Sequence, residues 1–124
     1  MIAVDTSALV AILEGENDAA TYAEILEHEG QVLLSAATYV ELCAVMSKKR
    51  GQACADDIDA FLTIAQIEIE PLTQKQAKIA SDAYSRYSVL NLGDSYSYSL
   101  AKDKKIPLLF KGNDFTETDL ESVS

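Results

Sequence analysis

The sequence predicts an α/β fold built on a central, mostly parallel sheet with helices on both faces, and three observations carry that reading. Short apolar runs of strand length recur along the chain, Met1 to Val4 and Val32 to Leu34 first, unbroken in the manner of buried parallel strands. Segments with apolar residues at three- and four-residue spacing separate such runs, as amphipathic helices do. Strands alternating with helices describe βαβ units, whose right-handed crossovers cover both faces of a parallel sheet.

Each element has its own signal. The first run ends at Asp5 and the second just before Ser35. Ile67 and Ile69 alternate with Glu68 and Glu70 ahead of Pro71, which reads as a strand nearer an edge. Pro107 to Phe110 reads as a fourth strand, ended by Lys111-Gly112-Asn113. One helical pattern, from about Ala36 to Arg50, puts Tyr39, Val40, Cys43 and Met46 on its apolar stripe and stops at Gly51. A second runs from Gln74 to Tyr87 with Thr73 as its N-cap. A third follows Gly93 and carries Tyr96, Leu100 and Ala101 toward Lys104 and Lys105. Its Ser-Tyr alternation from Ser95 to Ser99 mimics a strand, but the Gly93-Asp94 start argues for a helix with Tyr96 inward and Tyr98 nearer the surface. No repeat, low-complexity tract or linker interrupts residues 1–124, so a single domain is expected.

Composition narrows the class. A hydrophobic fraction of 48% suits a globular protein, and no apolar run approaches the roughly 20 residues that span a bilayer. Ala8 to Leu13 follows the acid Asp5 and has no basic segment before it, so no signal peptide and no membrane association are expected. Two cysteines make no disulfide framework and fit a reducing cytoplasm, with Cys43 read as core and Cys54 ambiguous. His28 follows a string of acids and reads as solvated. Twenty acids against ten bases give a net charge of −10, which repels nucleic acid at long range. Phosphate binding by such a chain needs a cation or a local basic patch, for which Lys48-Lys49-Arg50 and Lys102-Asp103-Lys104-Lys105 are the candidates. Both runs sit at helix ends, where cations also favour the dipole.

Ligands of open α/β sheets bind at the carboxyl ends of the strands. Asp5 stands where the first strand stops, and Asp114 just after the fourth. Glu41 lies in the first turns of the helix after the second strand, and Asp94 at the start of another helix. Four acids far apart in sequence can thus converge at one edge of one sheet. Carboxylates gathered this way repel one another unless a cation sits among them. An oxygen-only set suits Mg²⁺ or Mn²⁺, which accepts phosphate oxygens and activates water without a histidine base. Plainer roles exist beside these: Asp5 as a helix cap, Asp94 as an acid on a helix dipole. Glu41 resists such a reading, because an unpaired carboxylate in an apolar helix turn is costly.

At these residues the chain resembles a known family. Asp5-Thr6-Ser7, Glu41 within Thr38-Tyr39-Val40-Glu41-Leu42, and Leu90-Asn91-Leu92-Gly93-Asp94 look like PIN-domain motifs. Leu108-Leu109-Phe110-Lys111-Gly112-Asn113-Asp114-Phe115, followed by Thr118-Asp119-Leu120, is similar to the closing signature of VapC-type toxins of toxin–antitoxin pairs. The resemblance implies a PIN-like three-layer fold with a sheet of about five strands, and RNA cleavage with Mg²⁺ or Mn²⁺. It makes Asp5, Glu41 and Asp94 metal ligands, direct or through water, and Asp114 the completing acid of the catalytic quartet. Thr6 or Ser7 would position an acid or a substrate phosphate, and Lys111 would contact phosphate or neutralise the acids. Asp119 lies in the matching Thr-Asp step, with no settled role. A small antitoxin and a toxin homodimer are the implied protein partners. Two departures stand out: Ser95 occupies a position often held by Cys, and the loop before Asn91 is short and lacks the usual basic residues.

Two rival functions use the same residues. An aspartate phosphotransfer or phosphatase domain would use Asp5, but a receiver pocket wants two adjacent acids there. A dehalogenase-like site wants a second Asp two positions on, where this chain has Ser7. A PIN fold kept as a catalytically silent binding module is the other, opposed by the intact acid quartet.

Overall fold

The computed structural model describes residues 1–123. The elements in chain order are β1 (Ile2–Val4), α1 (Thr6–Leu13), α2 (Ala19–His28), β2 (Val32–Ser35) and α3 (Ala36–Arg50). There follow α4 (Ala55–Ile64), β3 (Ile67–Glu70), α5 (Gln74–Arg86), α6 (Leu92–Lys104) and β4 (Leu108–Leu109). All strand pairs are parallel, in the order β3-β2-β1-β4. β3 is an edge strand, as its alternation with glutamates predicts, and its Ile69 is exposed.

The pleat divides the core. Ile2, Val4, Val32, Leu34 and Leu109 face one way and meet Leu9 of α1, Leu26 of α2, Leu42 and Met46 of α3, and Ile58 and Leu62 of α4. Ala3, Leu33, Leu108 and Phe110 face the other way and meet Ala83 of α5 and Tyr98, Leu100 and Ala101 of α6. Each fully buried leucine contributes about 1.5–3 kcal/mol, so the two layers together hold the strands in register. The result is the three-layer α/β arrangement expected. No helix among the described residues is long and apolar enough to cross a membrane.

Local chemistry starts and stops the helices. Thr73 caps α5 by accepting from the backbone N–H of Gln76 at 3.1 Å, as anticipated. Gly51 closes α3 in the left-handed conformation, φ 72°, with its N–H bonded to the Ser47 carbonyl.

Several expectations need correction. Among the described residues the sheet has four strands rather than about five, and beside β4 they show a single bridge, Ser122 to Leu108. The chain between them is consumed by successive turns, with Thr116 and Thr118 bonded back to Asn113 and Phe115. Val40 is not on the core stripe but 64% exposed. The buried stripe of α3 is Thr38, Leu42 and Met46, and Val40 stands about 200° around the helix from both Thr38 and Leu42. Tyr98, not Tyr96, is the inward tyrosine, 2% exposed against Tyr87 at 5.8 Å between ring centroids. It stands four residues after the buried Asp94 and shares its helix face. Cys54 is the buried thiol and Cys43 is half-buried. His28 is exposed, as expected.

Candidate active site

A parallel strand that runs into a helix delivers the helix N-terminus to the carboxyl edge of the sheet. α1 begins there directly after β1, and α3 directly after β2. α6 leads into β4 and so runs the opposite way, bringing its own N-terminus to the same edge. Three sets of outward N–H groups, each carrying partial positive charge, therefore face one region. The four predicted acids lie in that region.

Asp5 is the N-cap of α1. Its Oδ2 accepts from the Ser7 backbone N–H at 3.1 Å and from the Ser7 hydroxyl at 2.7 Å. Its Oδ1 accepts from the Ser97 hydroxyl at 2.5 Å, and Ser97 in turn lies 3.3 Å from the Thr38 hydroxyl. Asp5 is 3% exposed. Burial pushes its pKa up, against the pull of the Ser97 and Ser7 bonds. The capping role foreseen for Asp5 is real, and it leaves the carboxylate pointed at the site.

Glu41 accepts from the Thr6 hydroxyl through Oε1 at 2.5 Å. The rest of its carboxyl group lies over Gly93, in the space where any other residue would carry a Cβ. Burial raises its pKa, Thr6 lowers it, and the charge of Asp5 raises it further. Asp94 forms a capping box with Asn91: its Oδ2 accepts from the Asn91 N–H at 3.0 Å, and Asn91 Oδ1 accepts from the Asp94 N–H at 2.8 Å. Its pKa is pushed up to about 7, first by burial, then by the charges of Asp5 and Asp114, with a hydrogen bond to Asp114 adding to the rise. Asp114 itself is exposed, in the turn after β4.

Asp94 thus feels Asp5 and Asp114, and Glu41 feels Asp5. Among the described residues, however, no group of three or more Asp, Glu, His or Cys side chains stands ready to hold a metal ion. The reason is visible: Asp5 spends both oxygens on serine hydroxyls, and Glu41 and Asp94 each spend one on a helix start. The donor chemistry nevertheless fits a hard divalent cation, being oxygen only, and after burial the charges of Asp5 and Asp114 add to the rise in the Asp94 pKa, a repulsion such a cation would relieve.

The remaining predicted residues divide. Thr6 and Ser7 serve the acids, Thr6 on Glu41 and Ser7 on Asp5, while Ser7 Oγ also accepts from the Lys111 backbone N–H at 2.9 Å. The Lys111 ammonium turns away from the quartet and is shared by Glu16 at 2.5 Å and Asp18 at 3.1 Å. Asp119 bonds Tyr98 at 2.6 Å and pairs with Lys102, anchoring the C-terminal turns to α6. Ser95 bonds the Leu92 carbonyl of its own helix at 2.5 Å and touches none of the acids. Ser97, Thr38 and Gly93 complete the site, and sequence reasoning assigned them no part in it. The signal for Ser97 was its place three residues after Asp94, on the same helix face.

With fold and geometry in place, the comparisons with known proteins define the class. The PIN-domain family model matches residues 2–121, and the chain belongs to that family. Among curated relatives, "Ribonuclease VapC42" of Mycobacterium tuberculosis is 43% identical, covering 94% of this chain and 95% of that protein. Among solved structures, Mycobacterium tuberculosis VapC20, titled a sarcin-ricin loop cleaving toxin, superposes with a TM-score of 0.82 at 19% identity, over 99% of this chain and 98% of that one. A chain of a toxin–antitoxin complex from Klebsiella pneumoniae gives a TM-score of 0.74 at 21% identity, over 96% of this chain and 93% of that one.

Proposed function

We propose that this chain is a Mg²⁺- or Mn²⁺-dependent endoribonuclease, the toxin of a toxin–antitoxin pair acting in the cytoplasm. The observation that carries the reading is the meeting of Asp5, Glu41, Asp94 and Asp114 at the carboxyl edge of the sheet, where burial first and then neighbouring charge hold Asp94 near a pKa of 7. The ribonuclease named among its relatives, 43% identical over nearly the whole length, supports the substrate class.

In this reading Asp5, Glu41, Asp94 and Asp114 hold the cation. A bound divalent ion supplies a water of lowered pKa and offsets charge on the phosphoryl oxygens. The protein's own part is orientation. Ser7 and Ser97 fix both oxygens of Asp5, and Thr6 fixes Glu41 while leaving Oε2 uncommitted. Asp94, whose pKa burial first and then neighbouring charge push up to about 7, would hold the cation as a carboxylate, so protons would compete for that seat. Lys48, Lys49 and Arg50 at the end of α3 are exposed and give an otherwise acidic molecule a basic patch for the RNA backbone.

The proposed partner is an antitoxin with a basic, amphipathic segment. An apolar groove lined by Ile12, Leu26, Phe61 and Ile64 and bordered by Glu27 and Glu29 suits its helical part. A basic side chain at its end suits the acidic edge, where it would exclude the cation. The exposed Val40 and Leu92, beside Glu41 and Gly93, support a homodimer as well.

Incubation of a structured RNA with Mg²⁺, Mn²⁺ or EDTA tests the reading. Cleavage with either cation, absent in EDTA and absent from a folded Asp94→Asn variant, is expected. A cation-independent cut would overturn the metal mechanism, and no cut under any condition would favour the silent binding module.

A further inference from the structure

Gly93 is the second residue of α6 and has an ordinary helical backbone there, with no positive φ that would call for glycine. Glycine in that place costs helix stability relative to alanine. The chain carries that cost for a reason written in the packing. A Cβ built on Gly93 would lie 2.8 Å from Glu41 Oε1 and closer still to Cδ and Oε2, inside any van der Waals contact. The three atoms nearest to it all belong to Glu41, whose carboxyl group fills the notch. On its other side the same carboxyl group is held by Thr6.

We infer that Gly93 is a positioning residue: its missing side chain is the seat that holds the Glu41 carboxylate between the first turns of α1 and α6. α3 approaches α6 closely along this line, with Thr38 and Ser97 touching just below. A methyl group at position 93 leaves α6 intact, because the atoms it meets first are the flexible end of Glu41. Glu41 then swings out of the edge region shared with Asp5 and Asp94. As a role toward the cation, this rests on the metal-dependent reading above; as a steric coupling between positions 41 and 93, it does not.

The test is a double-mutant cycle of Gly93→Ala and Glu41→Ala, with Glu41→Asp as a conservative arm. Thermal melts in EDTA read the coupling, and Mn²⁺ titration by calorimetry reads the consequence. In the Glu41→Ala background, Gly93→Ala is expected to raise the melting temperature, since alanine is the better helix former and the notch is empty. In the parent, that gain is expected to vanish, and Mn²⁺ affinity to fall about 10–100-fold, the cost typical of losing a group that orients a metal ligand. Glu41→Asp withdraws the carboxylate by one methylene, so adding Gly93→Ala to it is expected to cost no further affinity. Additive melting shifts in EDTA would overturn the inference, as would Gly93→Ala binding Mn²⁺ like the parent. If the parent binds no Mn²⁺ at all, the metal reading fails while the EDTA cycle still decides the fate of the Gly93–Glu41 seat.

Discussion

Ser97 lies 92 residues from Asp5 along the chain, yet its hydroxyl donates to Asp5 Oδ1 across 2.5 Å, inside the protein. The bond serves the ionised carboxylate, because it opposes the burial that raises the pKa of Asp5. Ser97→Ala should cost about 1–3 kcal/mol of stability, the usual penalty for leaving a buried polar group without its partner. The cost should grow as pH rises, because only ionised Asp5 depends on the donor. Urea denaturation of both proteins at acid and neutral pH measures this, and a loss that is the same at both would refute the assignment.

Asp94 carries the clearest pH signature. Its folded pKa of about 7 lies above the ordinary 3.8, so the folded protein holds a proton there that the unfolded chain releases. That advantage is fully present below the unfolded value and is lost as pH climbs to about 7. Asp94→Asn keeps an oxygen for the Asn91 N–H and removes the charge. Its metal-free melting temperature should therefore gain on the parent progressively between pH 4 and 7 and then level off, as a scan in EDTA will show. A variant that melts lower than the parent at neutral pH would mean that Asp94 is only a cap.

Divalent cation should stabilise the parent and not Asp94→Asn. Binding to the native state alone adds about 2.7 kcal/mol at a hundredfold excess over Kd. Protons compete for the same carboxylates, so the Mn²⁺-induced melting shift should shrink as pH falls below about 7. Calorimetric melts with Mn²⁺ and with EDTA check both parts.

Asp119 gives a contrast within the closing motif. It ties Tyr98 and Lys102 to the C-terminal turns, away from the acid quartet. Asp119→Ala should lower stability by about 0.5–1.5 kcal/mol and expose residues 115–123 to protease, while cleavage per folded molecule stays unchanged. Loss of activity in a fully folded Asp119→Ala protein would return it to the site.

Lys111 offers a test by salt. With its ammonium shared between Glu16 and Asp18 at the surface, Lys111→Gln should leave stability nearly unchanged, as loss of an exposed ion pair does. The salt dependence of RNA binding should also stay the same. A log–log slope reduced by about 1 would show that Lys111 leaves those acids to meet a phosphate.

The sequence by itself determined the fold class, because strand-length apolar runs and helical spacing are local properties that survive without tertiary context. The same periods located β1 through β4 and the long helices, and the parallel topology placed Asp5, Glu41, Asp94 and Asp114 at one edge. The tertiary structure decided everything that depends on how two elements meet. Val40 and Tyr96 fit a helical period yet turn away from the core, because a helix has several apolar phases and only packing selects one. The fifth strand shrank to the bridge at Ser122 because threonine turns claimed the backbone bonds that a ladder would need. Lys111 and Asp119, alike in carrying charge beside the motif, parted company once their partners were visible. Spacing and motif put Ser97 and Gly93 near Asp94, but not Ser97 on Asp5 or Gly93 under Glu41: a hydroxyl and a missing methyl acquire those roles only when α6 is laid against β1 and α3.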